Sequence, residues 1–196
     1  MEGRLMDADA EIRAYLAKGV DLREAVAEGQ VATIRAMADR LVACLISGGK
    51  VLLCGNGGSA ADAQHIAAEF INKFYREGKA LPALALTTDT AVLTSIANDT
   101  SFEQVFARQV EAHGREGDCL IAISTSGSSP NVLRAAEAAR RAGMTVIGFT
   151  GATGVDLASR SDLVLRVPSS DTPQIQEIHI AVGHILSKIV EEIARA

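Results

Sequence analysis

The stretch VLLCGNGGSAADAQHIAAEF, residues 51–70, starts as an apolar run, turns through Gly55 to Ser59 and continues as a helix-forming segment. Val51 to Cys54 predict a short buried strand, because they are uniformly apolar and end at glycines. The GNGGS turn lets backbone approach a ligand closely, and Ser59 is expected to cap the following helix. A helix start leaves N–H groups without intrahelical partners and carries the positive end of the helix dipole. Strand, small-residue turn and helix in this order form a cradle for a phosphate-type anion. The glycines lack the third member of the GxGxxG dinucleotide pattern.

A second unit of this kind lies further along. Cys119 to Ile123 predict a strand, STSGSS follows over Ser124 to Ser129, and Pro130 to Ala142 predict a helix. Ser129 stands at the N-cap position with Pro130 first in the helix, and Gly127 permits a tight turn. The hydroxyls of Ser124, Thr125, Ser126 and Ser129 can donate beside backbone N–H groups. No lysine follows in Walker spacing, so a nucleoside triphosphate loop is excluded. A plain capped turn would also explain the segment, but four hydroxyls in six residues favour an anion site.

Strands are further predicted at Leu84 to Leu86, Thr145 to Phe149 and Leu163 to Val167. Helices are predicted over Asp7 to Glu28, Val31 to Ile46, Ser59 to Phe74, Thr90 to Ala97, Phe102 to His113 and Thr172 to Ala194. Strands alternating with helices at this spacing imply a three-layer α/β fold around a five-stranded parallel sheet. Ligands in such sheets bind beyond the carboxyl ends of the strands, where both serine-glycine turns fall. A single domain is expected over residues 1–196, with a helical extension over 1–48 and the α/β core with its last helix over 49–196. The helices outside the alternating core supply more apolar surface than five short strands require. They either cover the sheet or build a helical interface between subunits, and the second is favoured.

The 196 residues carry a formal net charge of −5, 48% hydrophobic and 4% aromatic residues, and no Trp. Excess negative charge argues against a nucleic-acid groove, and no apolar run reaches membrane-spanning length. The polar, acidic N-terminal stretch MEGRLMDADAEIR lacks a signal peptide's apolar segment. Cys44, Cys54 and Cys119 are odd in number and stand in apolar surroundings, as reduced thiols of a cytoplasmic protein would.

Two side-chain constellations carry chemistry. His65 and Glu69 are four residues apart and share a helix face, as a surface ion pair or as a site, and residues at this spacing can also share a metal. The last helix opens on Thr172-Pro173 and carries Gln176, Glu177, His179 and His184. His184 lies among Val182, Gly183, Ile185 and Leu186, where a lone histidine is usually a core residue. His179 reads as structural or as support to a site.

Together GNGGSAADAQHIAAEFINKF, LTTDTAVLTSIANDTSFEQVFARQVEA, AISTSGSSPNV and QIQEIHIAVGHIL resemble the bacterial phosphoheptose isomerases, members of the sugar-isomerase (SIS) domain superfamily. The resemblance runs over almost the whole chain and implies the flavodoxin-like SIS fold. It implies isomerisation of sedoheptulose 7-phosphate to glycero-manno-heptose 7-phosphate, the first step toward nucleotide-activated heptose for lipopolysaccharide or related surface sugars. It implies a homotetramer with active sites at subunit interfaces and one zinc per subunit. Its sugar-phosphate contacts fall on Asn56, Gly57, Gly58, Ser59, Glu69, Asn98, Asp99, Ser124, Thr125, Ser126, Ser129 and Gln176. Its metal positions fall on His65, Glu69, Gln176 and His184, and its acid/base pair on Glu69 and His184. Gln176 and His184 stand about 12 Å apart along an ideal helix, at the edge of reach for one metal. A ligand from a neighbouring subunit would relieve this. The superfamily also contains a non-catalytic protein that binds the replication initiator and lacks the acid/base pair, and isomerases or sensors of hexose phosphates.

Overall fold

The computed structural model describes residues 7–194; the first six residues of the polar N-terminal stretch lie outside it. Helices α1 (Ala8–Gly29) and α2 (Val31–Ile46) precede the alternating core. There follow β1 (Val51–Gly55), α3 (Gly58–Ile71), β2 (Ala83–Ala85), α4 (Thr90–Asp99), a 3-10 turn (Phe102–Gln104) and α5 (Ala107–His113). The chain continues through β3 (Cys119–Ile123), α6 (Pro130–Arg141), β4 (Thr145–Thr150), α7 (Val155–Ala158), β5 (Leu163–Arg166) and α8 (Thr172–Ala194). The expected α/β class and five parallel strands are therefore present.

The strand order is β2-β1-β3-β4-β5, and every neighbouring pair is parallel. Period-two alternation divides the core. Val51, Leu53, Ile121, Ile123 and Phe149 face α2, α3 and α8, whereas Leu52, Cys54, Leu120, Ala122 and Val146 face α5, α6 and α7. After β1 the chain thus leaves to one face of the sheet, and after β3 to the other. The carboxyl ends of these adjacent strands bound the crevice at which such sheets bind ligands.

Several boundaries differ from expectation. Helix α3 begins one residue early, with Gly57 at its N-cap in a left-handed conformation (φ 54°), and Ser59 is buried in the first turn instead of capping it. The same helix stops at Ile71, because the N–H groups of Phe74, Tyr75 and Arg76 donate to the buried Glu191 carboxylate at 2.9, 2.7 and 3.0 Å. The segment Phe102 to His113 splits into a 3-10 turn and α5. Helix α7 was not anticipated. It is a single turn, too short for a periodic pattern.

Helix α2 lies directly on the sheet through Met37 and Leu41, both fully buried, so part of the surplus apolar surface is used within the chain. In α1 only Gly19, Leu22 and Val26 are buried, leaving Ile12, Leu16 and Val20 exposed. No helix among the described residues is long and apolar enough to cross a membrane.

Candidate active site

The two serine-glycine loops are tied together at the crevice. Asn56, just after β1, and the buried Asn131, in the first turn of α6, exchange reciprocal amide hydrogen bonds of 2.8 Å each. The Asn56 side chain is thereby fixed, and its loop cannot drift from the β3 loop. The Gly58 and Ser59 amides, in the first turn of α3, have no intrahelical acceptor and present N–H groups at the strand end.

The β3 loop is organised around the buried Ser124. Its hydroxyl lies 3.0 Å from the Ser129 hydroxyl and 3.4 Å from that of Ser126, and it accepts from the Gly127 amide at 3.1 Å. Ser129 occupies the N-cap position, but its side chain makes no capping bond and turns to Ser124. The Val132 amide donates to the Ser129 carbonyl and to Asn131 Oδ1, both at 3.0 Å. Gly127 has φ 65° and packs so closely on Gly154 and Thr150 that a Cβ there has no room. A pre-formed ring of hydroxyls results, which costs little reorganisation when an oxyanion enters.

Helix α3 carries the second half of the site, and α8 runs beside it. Gly183 allows their close approach, since a Cβ at this residue would stand 2.5 Å from Ile66 Cδ1 and 2.8 Å from its Cγ1. One residue on, His184 Nε2 meets His65 Nε2 at 2.8 Å, with the rings edge to face. One nitrogen donates and the other accepts, so the rings hold complementary tautomers. Glu69 Oε1 lies 3.5 Å from His65 Nε2, and the Glu69 side chain is only 19% exposed. Phe74 covers the His184 ring from the other side, with centroids 5.5 Å apart. The final helix thus reaches α3 twice, at His65 and again where the Gln176 side chain fills the space a Cβ of Gly58 would need.

The expected site residues therefore divide. His65, Glu69 and His184 gather at one place. Gln176 lies at the start of α3, with Gly57, Gly58 and Ser59, roughly 10 Å along that helix from His65. Asn98 and Asp99 end α4, exposed, with the Asn98 amide donating to Asp99 at 2.8 Å. Thr125 and Ser126 lie at the crevice mouth with Ser124. Sequence reasoning missed Asn131, Phe74 and Glu191. Only Asn131 had a nearby signal, its place just after the STSGSS turn. It also missed Asp62, one turn before His65, whose carboxyl is pushed above its ordinary value by burial.

Two imidazole nitrogens and a carboxylate oxygen are a donor set suited to zinc. The 2.8 Å between the two Nε2 atoms shows both rings aimed at one point, so His65, Glu69 and His184 fit such an ion by chemistry. Among the described residues no three His, Cys, Asp or Glu side chains form a closed metal group. A bound ion would need a small opening of the histidine pair and a further donor.

His179 is fully buried one turn before His184, close to the Thr150 backbone and 5.5 Å from the Phe149 ring. Burial holds its imidazole down at about 4, so it is neutral near pH 7. It packs α8 against the end of β4 from within the core.

A family model described as SIS domain matches residues 14–151. A phosphoheptose isomerase of Desulfovibrio desulfuricans is 57% identical over 180 residues, covering 92% of this chain and 86% of that protein. Among solved structures, a phosphoheptose isomerase from Francisella tularensis superimposes with TM-score 0.92 at 40% identity, covering 95% of this chain and 100% of the other. Its Neisseria gonorrhoeae counterpart gives TM-score 0.88 at 41% identity, covering 94% and 98%. With two serine-glycine loops at the switch point and a carboxylate and two imidazoles gathered between α3 and α8, the chain belongs to the SIS-domain family and, within it, to the phosphoheptose isomerases.

Proposed function

We propose that this enzyme interconverts sedoheptulose 7-phosphate and D-glycero-D-manno-heptose 7-phosphate through an enediol. The observation that carries this reading is the meeting of Glu69, His65 and His184 on two packed helices, on a sheet whose crevice holds two anion loops. The 7-phosphate binds at the N–H groups of Gly57, Gly58 and Ser59 and the hydroxyls of Ser124, Thr125, Ser126 and Ser129. Gln176, beside Gly58, and the Asn98–Asp99 pair contact the sugar. Phosphate binding remote from the reacting carbons holds them in position for proton transfer.

Glu69 and His184 act as the acid/base pair. One takes the proton from the carbon next to the carbonyl, and the other serves the oxygen, so a proton moves between adjacent carbons without net redox. His65 holds the His184 ring and sets its tautomer through the 2.8 Å contact. The neighbouring Phe74 ring keeps water from one side of His184. One zinc per subunit is part of the proposal, held by His65, Glu69 and His184, with a neighbouring subunit supplying the further donor. Bound there, zinc supplies Lewis-acid polarisation of the substrate oxygens.

The active unit is a homotetramer acting in the cytoplasm. Support comes from a groove of about 440 Å³ lined by Val26, Val31, Ile34, Ile178 and Ile185. It is continuous in character with the exposed Ile12, Leu16 and Val20 of α1. A second copy of this chain covers it. The product enters the route to activated heptose for surface glycans.

Incubation with sedoheptulose 7-phosphate, followed by product identification, tests the reading. Aldose 7-phosphate should accumulate, and exhaustive chelation should lower the rate until zinc is restored. Turnover of five- or six-carbon ketose phosphates but not of the seven-carbon one would refute it. So would an inactive protein that captures the replication initiator.

A further inference from the structure

The three cysteines are not equivalent. Cys54 is fully buried in β1, and burial pushes its thiol up to about 12. Cys44, in the last turn of α2, and Cys119, the first residue of β3, are 75 residues apart in sequence but meet at the amino end of the sheet, where the Cys119 thiol donates to Arg40 O at 3.9 Å. One carbonyl organises both residues. Lys50 O accepts from Cys44 Sγ at 3.4 Å and from the Cys119 amide at 3.1 Å. Gly49 leaves the space for this, since a Cβ there would stand 2.9 Å from Cys44 Sγ.

The pair also has an approach. A cavity of about 290 Å³ at the amino end of the sheet is lined by Arg40, Cys44, Ser47, Glu116, Cys119 and Thr145. It lies at the opposite end of the strands from the crevice loops, so it plays no part in the isomerase site. The Cys119 thiol lowers the Cys44 thiol below its ordinary value by hydrogen bonding, while the same bond and burial raise Cys119. Cys44 is also the more accessible of the two, 5% exposed against 1% for Cys119, which makes it the sulfur a small oxidant meets first and Cys119 the resolving one.

We infer that Cys44 and Cys119 form a dithiol modification site, at which hydrogen peroxide closes an intramolecular disulfide between α2 and β3. The Cys44 thiolate attacks the peroxide oxygen, the O–O bond breaks, and a sulfenic acid forms with release of water. Cys119 sulfur then attacks Cys44 sulfur, the S–O bond breaks, and a second water leaves. Two thiols lose two electrons in total, and the peroxide is reduced to two waters.

The full chain should be treated with hydrogen peroxide, alkylated under denaturing conditions and mapped without reductant. A linked peptide pair containing Cys44 and Cys119, lighter by two hydrogens and cleaved by dithiothreitol, is expected, with Cys54 fully alkylated. The Cys119→Ala variant should lose the link and show a severalfold slower alkylation of Cys44. Wild-type mapping needs no variant to fold. The inference is overturned if both thiols survive oxidant unmodified, if Cys44 proceeds to sulfinic acid with Cys119 free, or if the link joins Cys54 or two chains.

Discussion

His65 Nε2 and His184 Nε2 stand 2.8 Å apart across 119 residues of intervening sequence, on two helices held together by the absence of a side chain at Gly183. Neither histidine can be moved without the other losing its partner. The proposed acid/base groups and the packing of α8 on α3 are therefore coupled, and four predictions test the proposed site and its surroundings.

Replacing the acid/base groups should remove turnover and leave the fold. Glu69→Gln and His184→Ala are each expected to lower kcat by about 10²–10⁴-fold. Circular dichroism and the oligomeric state by light scattering should stay unchanged. His65→Ala should cost less, since His65 is not one of the two proton-transferring groups.

Widening the helix contact should reproduce part of that loss at a distance from the chemistry. Gly183→Ala forces Ile66 to give way and is expected to cost about 1–3 kcal/mol of stability as overpacking. It should lower kcat more than it changes KM. The double variant Gly183→Ala with Ile66→Val should recover stability in denaturant melts and part of the activity.

Burial of His179 predicts an acid-sensitive stability. Its folded value of about 4 lies below the ordinary 6.5, so the unfolded chain binds its proton first as pH falls. This contribution is fully present above pH 6.5 and is lost as pH falls from 6.5 to 4. Between pH 7.5 and 5 it amounts to about 2 kcal/mol, from 1.36 kcal/mol per unit. Urea melts at the two values should show the difference, and His179→Gln should flatten it.

Glu191 should control the segment that shields His184. Its carboxylate accepts three consecutive amides, Phe74 to Arg76, and is 3% exposed. Glu191→Ala leaves those donors without it and is expected to cost about 1–3 kcal/mol. Hydrogen exchange of these three amides should accelerate, and kcat should fall as Phe74 leaves the His184 ring.

Local patterns made much of this molecule readable. Apolar runs ending in small residues marked β1, β3 and β4, since a strand buried on both faces needs no alternation. Serine and glycine at Gly55–Ser59 and Ser124–Ser129 marked the two loops at the strand ends, because hydroxyls and free amides are properties of the residues and the turn. The i, i+4 spacing of His65 and Glu69 placed them on one face before any packing was known. Motif order along the chain was enough to indicate the family.

Packing decided the rest. The strand order puts β1 beside β3, which no local run encodes, and so joins two loops separated in sequence through Asn56 and Asn131. His184, which an apolar neighbourhood marked as core, emerges at the site because Gly183 faces Ile66. Gln176 reaches Gly58 instead of the histidines, because α8 lies alongside α3 and the residues in between carry it two turns away. Periodicity is a property of one segment, whereas the distance between two segments is fixed by the side chains both must accommodate.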